Sequence, residues 1–408
     1  MGIFNSFLSI IENLYIAYLR CFKETRDLIH RAEMDNQPPV FVLGHPRTGT
    51  TLLHSLLALD EERFSICDTF MVGFPHCFLW FERAGKYLFK DILSPTRPMD
   101  NMKLHFDLPQ EDELGTNLLV GCTVSSYNSL IFMRDMKEYR KYQCFLEDQV
   151  SSQDVQKWTK AFRYFIGKVK LRDVLMGRRR NSNVKNCQNL PRRLVLKSPC
   201  HTGRVRLLLK LFPNAKFIFI HRNPYEVFLS GAHMASTTYG FMFLQQPRGE
   251  DLQEYILKQG EILHDEYFAC RGNLLNATVS MYTDVLPIFY LNVTRDTFFT
   301  YMYPFTTCSD KQNSAEVAFD NLTKDPEGAM RKIYSQFGFD AFDAGSNSSY
   351  PKRLERECEE LKGYKRNKFE KIILDGKLIE TIKYRWKKQF QVLGYSDEYP
   401  TYTSNYLT

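Results

Sequence analysis

The sequence predicts an α/β protein in three layers, a parallel sheet flanked by helices on both faces. The first supporting observation is a strand-turn-helix unit: Val40-Phe41-Val42-Leu43, a turn through Gly44 and Gly49, and a helix from near Thr50 carrying Leu52, Leu53, Leu56, Leu57 and Leu59. The second is a β-α-β-α unit. Arg193 to Lys197 leads through Ser198-Pro199 into a helix from Leu207 to Phe212; Pro213-Asn214 then turns into Lys216 to Ile220, His221-Arg222-Asn223-Pro224 and a further helix. The third is that these strands are continuously apolar rather than alternating, as strands of a parallel sheet covered on both faces are.

Taken in chain order, residues 1–37 read as an N-terminal amphipathic helix and residues 38–408 as one α/β domain, with Pro38-Pro39 at the boundary. Ile3, Phe4, Phe7, Leu8, Ile11, Leu14, Tyr15, Tyr18 and Leu19 recur at helical spacing, so residues 3–19 either pack on the domain or make a peripheral membrane contact. Met1-Gly2-Ile3-Phe4-Asn5-Ser6 fits the loose myristoylation pattern. Phe70 to Phe81 is aromatic and contains Pro75, and reads as irregular and pocket-lining. Leu252 to Ala269, Pro326 to Phe337 and Phe369 to Val392 read as helices, Val285 to Leu291 as a strand, and 181–190 and 344–350 as polar loops.

Composition narrows the function. In a chain of 408 residues, 44% hydrophobic and 25% charged content is that of a globular protein, and 14% aromatic content suits a pocket for an apolar acceptor. A net charge of +7 favours anionic ligands without marking a nucleic-acid track. The densest basic run, Arg178-Arg179-Arg180 with Lys185, Arg192 and Arg193, lacks interleaved aromatics and reads as a solvated loop. Ten cysteines without a C-x-x-C spacing signal neither zinc nor a redox pair. No run of about twenty apolar residues suggests a membrane span. Sequons at Asn276, Asn292, Asn321 and Asn347 matter only in a secretory setting, and no cleavable signal peptide is evident. A cytoplasmic location, with optional membrane association, is expected ahead of the Golgi lumen.

The turn after the first strand, Gly44-His45-Pro46-Arg47-Thr48-Gly49-Thr50-Thr51, has the G-x-x-x-x-G frame of a phosphate-binding loop, making the predicted fold P-loop-like. The lysine that holds β- and γ-phosphates in nucleoside triphosphatases is replaced by Thr50. Backbone N–H groups at a helix start still form an anion site, and Arg47 supplies a planar, permanently charged fork beside it. P-R-T-G-T-T-L-L resembles the phosphosulfate loop of the sulfotransferases that use 3′-phosphoadenosine 5′-phosphosulfate (PAPS). The resemblance spans roughly residues 38 to 395. It implies that Arg47, Thr48, Gly49, Thr50 and Thr51 bind the donor's phosphosulfate, and that Arg222 and Ser230, eight residues apart, bind its 3′-phosphate. PAPS is then the co-substrate, and no metal is required.

Lys197, at a strand end in Leu196-Lys197-Ser198-Pro199, would neutralise charge on the bridging oxygen of the phosphosulfate. Arg97-Pro98-Met99-Asp100-Asn101-Met102 and Pro109-Gln110-Glu111-Asp112-Glu113 resemble the R-P-x-D-x-M and P-Q-E-D-E segments of a branch of the family common in bacteria. Adjacent carboxylates raise one another's pKa, so Glu111 is the first choice for the base that receives the acceptor's proton, with Glu113 second; an acidic helix start is the alternative. His105 and Asp68 are rivals for the base. The R-K-G-x-x-G-x-W signature of cytosolic sulfotransferases is absent, and Gly363-Tyr364-Lys365-Arg366 stands as its substitute.

The expectation is therefore an O-sulfotransferase acting on a hydroxyl of a small or lipid-like acceptor, with no nucleic-acid partner and homo-oligomerisation left open. The rival readings are a catalytically silent nucleotide-binding or membrane-associated interaction protein and a P-loop kinase with a degenerate loop.

Overall fold

The structure, a computed structural model, describes residues 2–33, 37–146, 149–180, 192–248, 250–275, 313–343, 346–364 and 374–399. Among the described residues five parallel strands form one sheet: β1 (Val40–Leu43), β2 (Phe64–Ile66), β3 (Arg193–Lys197), β4 (Lys216–His221) and β5 (Ser314–Ala318), in the order β2-β3-β1-β4-β5. β1 is central, with Phe41 beside Leu196 of β3 and Phe217 of β4.

The sheet's two faces separate by the period of two. Phe41, Leu43, Leu194, Leu196, Phe217 and Phe219 pack against Trp158, Phe162 and Phe165 of helix Ser152–Arg180. Val40, Val42, Val195, Ile218 and Ile220 pack against Leu53, Leu56 and Leu57 of helix Thr50–Ala58 and Ile333 and Tyr334 of helix Pro326–Phe337. Each such side chain, fully buried, contributes roughly 1.5–3 kcal/mol, which is why both faces need a helical layer. The expected three-layer arrangement is present. β1 has β3 on one side and β4 on the other, so the chain reverses its direction of winding at β1, and ligands of such sheets bind in the crevice at the carboxyl ends there.

Several elements differ from the sequence expectation. The N-terminal region forms two helices, Gly2–Arg20 and Lys23–Glu33. They dock on the Ser152–Arg180 helix through Ile16, Leu19, Leu28 and Ile29 against Leu171 and Val174. Glu12, an interruption in the apolar pattern, is buried in an ion pair with Lys168 and accepts from the Leu79 amide at 2.9 Å. A second apolar stripe on the same helix, Phe7, Ile10, Leu14 and Tyr18, faces solvent.

The 70–81 segment is helical rather than irregular. Asp68 caps helix Thr69–Gly73 by accepting from the Met71 amide at 2.8 Å, Pro75 occupies the break, and helix Phe78–Leu88 follows. The helix that begins at Ser152 runs through Arg178-Arg179-Arg180, which were expected in a loop. The expected 369–392 helix is two helices, Gly376–Arg385 and Lys387–Leu393, whereas Pro326–Phe337 is as expected and the 252–269 helix extends to Asp251–Leu275. The expected strand at 285–291, the loop at 181–190 with Lys185, Lys365, Arg366 and the sequons at Asn276 and Asn292 lie outside the described residues. Among the described residues no helix is long and apolar enough to cross a membrane.

Candidate active site

The loop after β1 is shaped by two glycines at positive φ. Gly44 (φ +152°) donates its amide to Thr202 Oγ1 at 2.8 Å, and a Cβ there would meet the Ile220 carbonyl at 2.6 Å. Gly49 (φ +98°) starts helix Thr50–Ala58, and its Cβ would lie 2.5 Å from the Phe319 ring. Thr48 folds its hydroxyl onto the His45 carbonyl at 2.8 Å. No side chain caps the helix, so its first N–H groups and the positive end of its dipole face the crevice without a partner from the cap residue. His45 stacks on His264 at 5.8 Å, and burial, followed by the His264 ring, pushes its imidazole down to about 3. The loop thus rests on a neutral histidine.

Arg47 is held at φ 76°, a left-handed conformation that costs a β-carbon residue roughly 1–2 kcal/mol. Its guanidinium accounts for that cost being met: Nε donates to Ser230 Oγ at 3.0 Å and Nη1 to Asp100 Oδ2 at 2.9 Å. Arg222, just past β4, sends Nη1 to the Arg47 carbonyl at 3.4 Å, pairs with Glu226 at 2.7 Å and lies 4.5 Å over the Phe319 ring. Arg47, Arg222 and Ser230, from two strand ends and the helix Pro224–Thr237, are therefore one bonded cluster. Asn223 caps that helix and Pro224 occupies its first turn, which sets Ser230 two turns in.

Lys197, the last residue of β3, is 1% exposed. Its ammonium donates to Glu111 Oε1 at 2.9 Å and lies 3.5 Å from Thr51 Oγ1, on the first turn of the loop's helix. Glu111 also accepts from the Tyr127 hydroxyl at 2.7 Å. Burial pushes the Glu111 carboxyl up, but the Lys197 charge, the Tyr127 hydrogen bond and Arg97 together hold it below the ordinary carboxylate range, the reverse of the rise expected from its neighbouring carboxylates. For Lys197 burial dominates: it draws the ammonium below its usual value against the opposing pull of Glu111, with Arg97 adding to the depression. Arg97 Nη2 meets Asp100 Oδ2 at 3.0 Å, and Nη1 lies 3.4 Å from Thr51 Oγ1. An unbroken polar chain thus runs from Ser230 through Arg47, Asp100, Arg97, Thr51 and Lys197 to Glu111.

The chain from Ser230 to Thr51 lines an open cavity of about 1180 Å³, whose walls also include Gly49, Thr50 and Arg222; Lys197 and Glu111 lie behind Thr51, outside that lining. Its other walls are apolar in part, with Leu52, Leu59, Ile66, Met71, Leu104 and Leu108. Gly363 and Tyr364 also line it, and the Tyr364 hydroxyl bonds the Asp100 carbonyl.

The other base candidates sit elsewhere. Glu113 is fully buried and bonded to Arg204 through both oxygens, at 2.6 and 2.9 Å. Asp68 lines the cavity; one of its oxygens caps a helix and the other accepts from Lys86 at 2.9 Å, so, like Glu111 between Lys197 and Tyr127, it has both oxygens bonded. The His105 ring is more than half exposed and accepts from the Asp107 amide at 3.3 Å. Only Glu111 among the four is brought to Lys197. Sequence reasoning assigned no role to Tyr127, which carries no motif. Arg97 and Asp100 were visible only as part of a resembling segment, although their i, i+3 spacing already puts both on one turn.

A model of the Sulfotransferase family matches residues 38–344. Two relatives, the omega-hydroxy-beta-dihydromenaquinone-9 sulfotransferases Stf3 of Mycobacterium bovis and Mycobacterium tuberculosis, are each 28% identical to this chain over 366 residues, covering 89% of it and 76% of their own length. Among solved structures, sulfotransferase STF9 from Mycobacterium avium is similar with a TM-score of 0.53 at 16% identity, over 93% of this chain and 81% of that one. STF1 from Mycobacterium tuberculosis H37Rv gives 0.51 at 15%, over 88% and 79%. At such identities the likeness speaks to the fold, and it agrees with the parallel three-layer sheet.

Proposed function

Because this chain belongs to the sulfotransferase family, we propose that it moves the sulfuryl group of PAPS to a hydroxyl of an apolar, lipid-like acceptor. The observation that carries this reading is the position of Lys197 between Thr51 of the loop and Glu111. A cation beside the loop helix, already bonded to a carboxylate, supports a reading in which Lys197 meets the donor's bridging oxygen and Glu111 the acceptor's proton.

In this reading the uncapped loop helix receives the phosphosulfate, and Arg222 with Ser230 receives the 3′-phosphate. The acceptor oxygen attacks sulfur as the bond from sulfur to the bridging oxygen breaks. The acceptor's proton goes to Glu111, and adenosine 3′,5′-bisphosphate leaves with its new charge beside Lys197. Positioning and charge stabilisation supply most of the rate, as in phosphoryl transfer. A carboxylate held below its ordinary range is ionised throughout the neutral region but is a weaker base for it, so it takes the acceptor's proton only as bonding to sulfur acidifies that hydroxyl.

Two features support the acceptor class. The cavity walls carry aliphatic side chains, Leu52, Leu59, Ile66, Leu104 and Leu108 among them, set between charged and polar ones. The two relatives are named for omega-hydroxy-beta-dihydromenaquinone-9, a lipid-like molecule that bears a hydroxyl.

The test is PAPS desulfation with three acceptor sets: short polar alcohols, phenols, and long-chain or isoprenoid alcohols in detergent. Turnover with the third set, lost in Glu111→Gln, is expected. Bisphosphate binding without turnover on any acceptor would refute the enzymatic reading, and preference for phenols would refute the acceptor class.

A further inference from the structure

Glu111 is the first of three consecutive carboxylates, and each meets its own cationic or imidazole partner. Glu111 pairs with Lys197 at 2.9 Å, Asp112 with His201 Nε2 at 2.7 Å, and Glu113 with Arg204 at 2.6 Å. The carboxylates are the cap and first two residues of helix Asp112–Leu119; the partners are the end of β3 and the 3-10 turn Pro199–Arg204 behind it. Three rungs therefore lace one helix start to one strand end. The rungs deepen in order: a fifth of the Glu111 side chain is exposed, whereas Asp112 and Glu113 have no exposed surface.

The two inner rungs differ in what else they hold. Arg204 also donates to the Gln143 and Tyr142 carbonyls and lies 4.6 Å over both Phe145 and Trp158, so it anchors the surrounding core. Asp112 Oδ1 and His201 Nδ1 have no hydrogen-bond partner among the described residues, although both are buried. The polar contact that the Asp112 and His201 side chains make is with each other. A buried polar pair with unmet capacity on both sides is costly unless its geometry serves something. What adjoins it is Glu111 on one strand of the lacing and Lys197 four residues away on the other.

We infer that Asp112 and His201 are positioning residues that fix the Glu111 carboxylate against Lys197, and so set where the acceptor's proton is taken. The inference rests on Glu111 being the base. Neither residue is bonded to Arg47, Arg222 or Ser230, the groups proposed to hold the 3′-phosphate, so bisphosphate binding is expected to be independent of them.

His201→Ala is expected to lower kcat by about ten- to a hundredfold, the range in which small misplacements of a reacting group act. The Kd for adenosine 3′,5′-bisphosphate and the KM for PAPS should stay at wild-type values. His201→Gln, which keeps an N–H donor for Asp112, should recover most of the rate and is the variant to read if His201→Ala does not fold. The decisive measurement is the double-mutant cycle with Glu111→Gln, using geranylgeraniol in detergent micelles as acceptor. If His201 acts through Glu111, His201→Ala costs nothing further once Glu111 is gone. Fully additive losses, an unchanged kcat in His201→Ala, or weakened bisphosphate binding would each overturn the inference. Failure of the base reading is separately visible, because Glu111→Gln alone would then retain wild-type kcat.

Discussion

Arg222→Ala is expected to weaken binding of adenosine 3′,5′-bisphosphate by one to two orders of magnitude, and the structure sets that size. The guanidinium is largely buried, with 15% of the side chain exposed, 4.5 Å over the Phe319 ring and held from one side by Glu226. Its Nη1 contact to the Arg47 carbonyl is long, at 3.4 Å, which leaves that nitrogen free to turn to an anion. A hydrogen bond to a charged group contributes about 1.5–3 kcal/mol, which at roughly 1.4 kcal/mol per decade is about ten- to 150-fold in Kd. Removing the arginine also leaves the Glu226 carboxylate unpaired beside the anion, so the upper half of that range is expected. Arg222→Lys keeps the charge without the fork and should fall between the two. Calorimetry at two salt concentrations reads the effect, and wild-type affinity should be the more salt-sensitive because it includes the charge that the alanine lacks. A Kd for Arg222→Ala within about twofold of wild type, in protein that melts normally, would refute the assignment of Arg222 to the nucleotide.

Lys197→Met removes the largest influence that offsets burial at Glu111, so the Glu111 carboxyl should titrate higher and the acid limb of kcat/KM should move to higher pH; an unmoved limb would show that Glu111 is not the group titrating. Glu113→Gln leaves Arg204 buried without its counter-charge and should cost about 3–5 kcal/mol of stability, measured by denaturant unfolding. Glu12→Gln breaks the buried pair to Lys168 and should release the two N-terminal helices to limited proteolysis, while bisphosphate affinity stays unchanged because Arg222 and Ser230 lie on other elements.

β1, β3 and β4 were readable because each is an apolar run bounded by Gly or Pro, and Arg47, Lys197 and Arg222 stand at or just beyond their carboxyl ends. β2, three residues long, and β5, with Glu316 in its middle, are edge strands whose identity comes from pairing with β3 and β4, which no local pattern carries. The 70–81 segment misled because its aromatics favour strand-like or irregular backbone, whereas Asp68 is an N-cap residue that marks a helix start. In the N-terminal helix, apolar residues occupy both the docked and the solvent faces, and the buried Glu12 looks polar only until Lys168 is found opposite it. The convergence of Arg47, Arg222 and Ser230 was legible from spacing. The choice among Glu111, Glu113, Asp68 and His105 was not, because it depends on which carboxylate faces Lys197 and which is spent on Arg204 or Lys86.

The absence of lysine from the loop has a physical counterpart in β3. A triphosphate loop places its cation at the helix start, where Thr50 stands. Here the cation comes from the neighbouring strand and arrives 3.5 Å from Thr51, already bonded to a carboxylate. Moving the lysine off the loop gives it a carboxylate partner, so in the proposed reaction one contact would hold both a counter-charge for a leaving oxygen and a base for an incoming hydroxyl. An incoming hydroxyl has a proton to lose as its oxygen bonds to sulfur, and a cation alone cannot take it. On this argument the pair, rather than either residue, is the unit of function: restoring lysine at position 50 while removing Lys197 should rebuild an anion site without rebuilding the enzyme. Bisphosphate binding with no sulfuryl transfer in Thr50→Lys/Lys197→Met is the expected outcome, and turnover in that double variant would show that the position of the cation is immaterial.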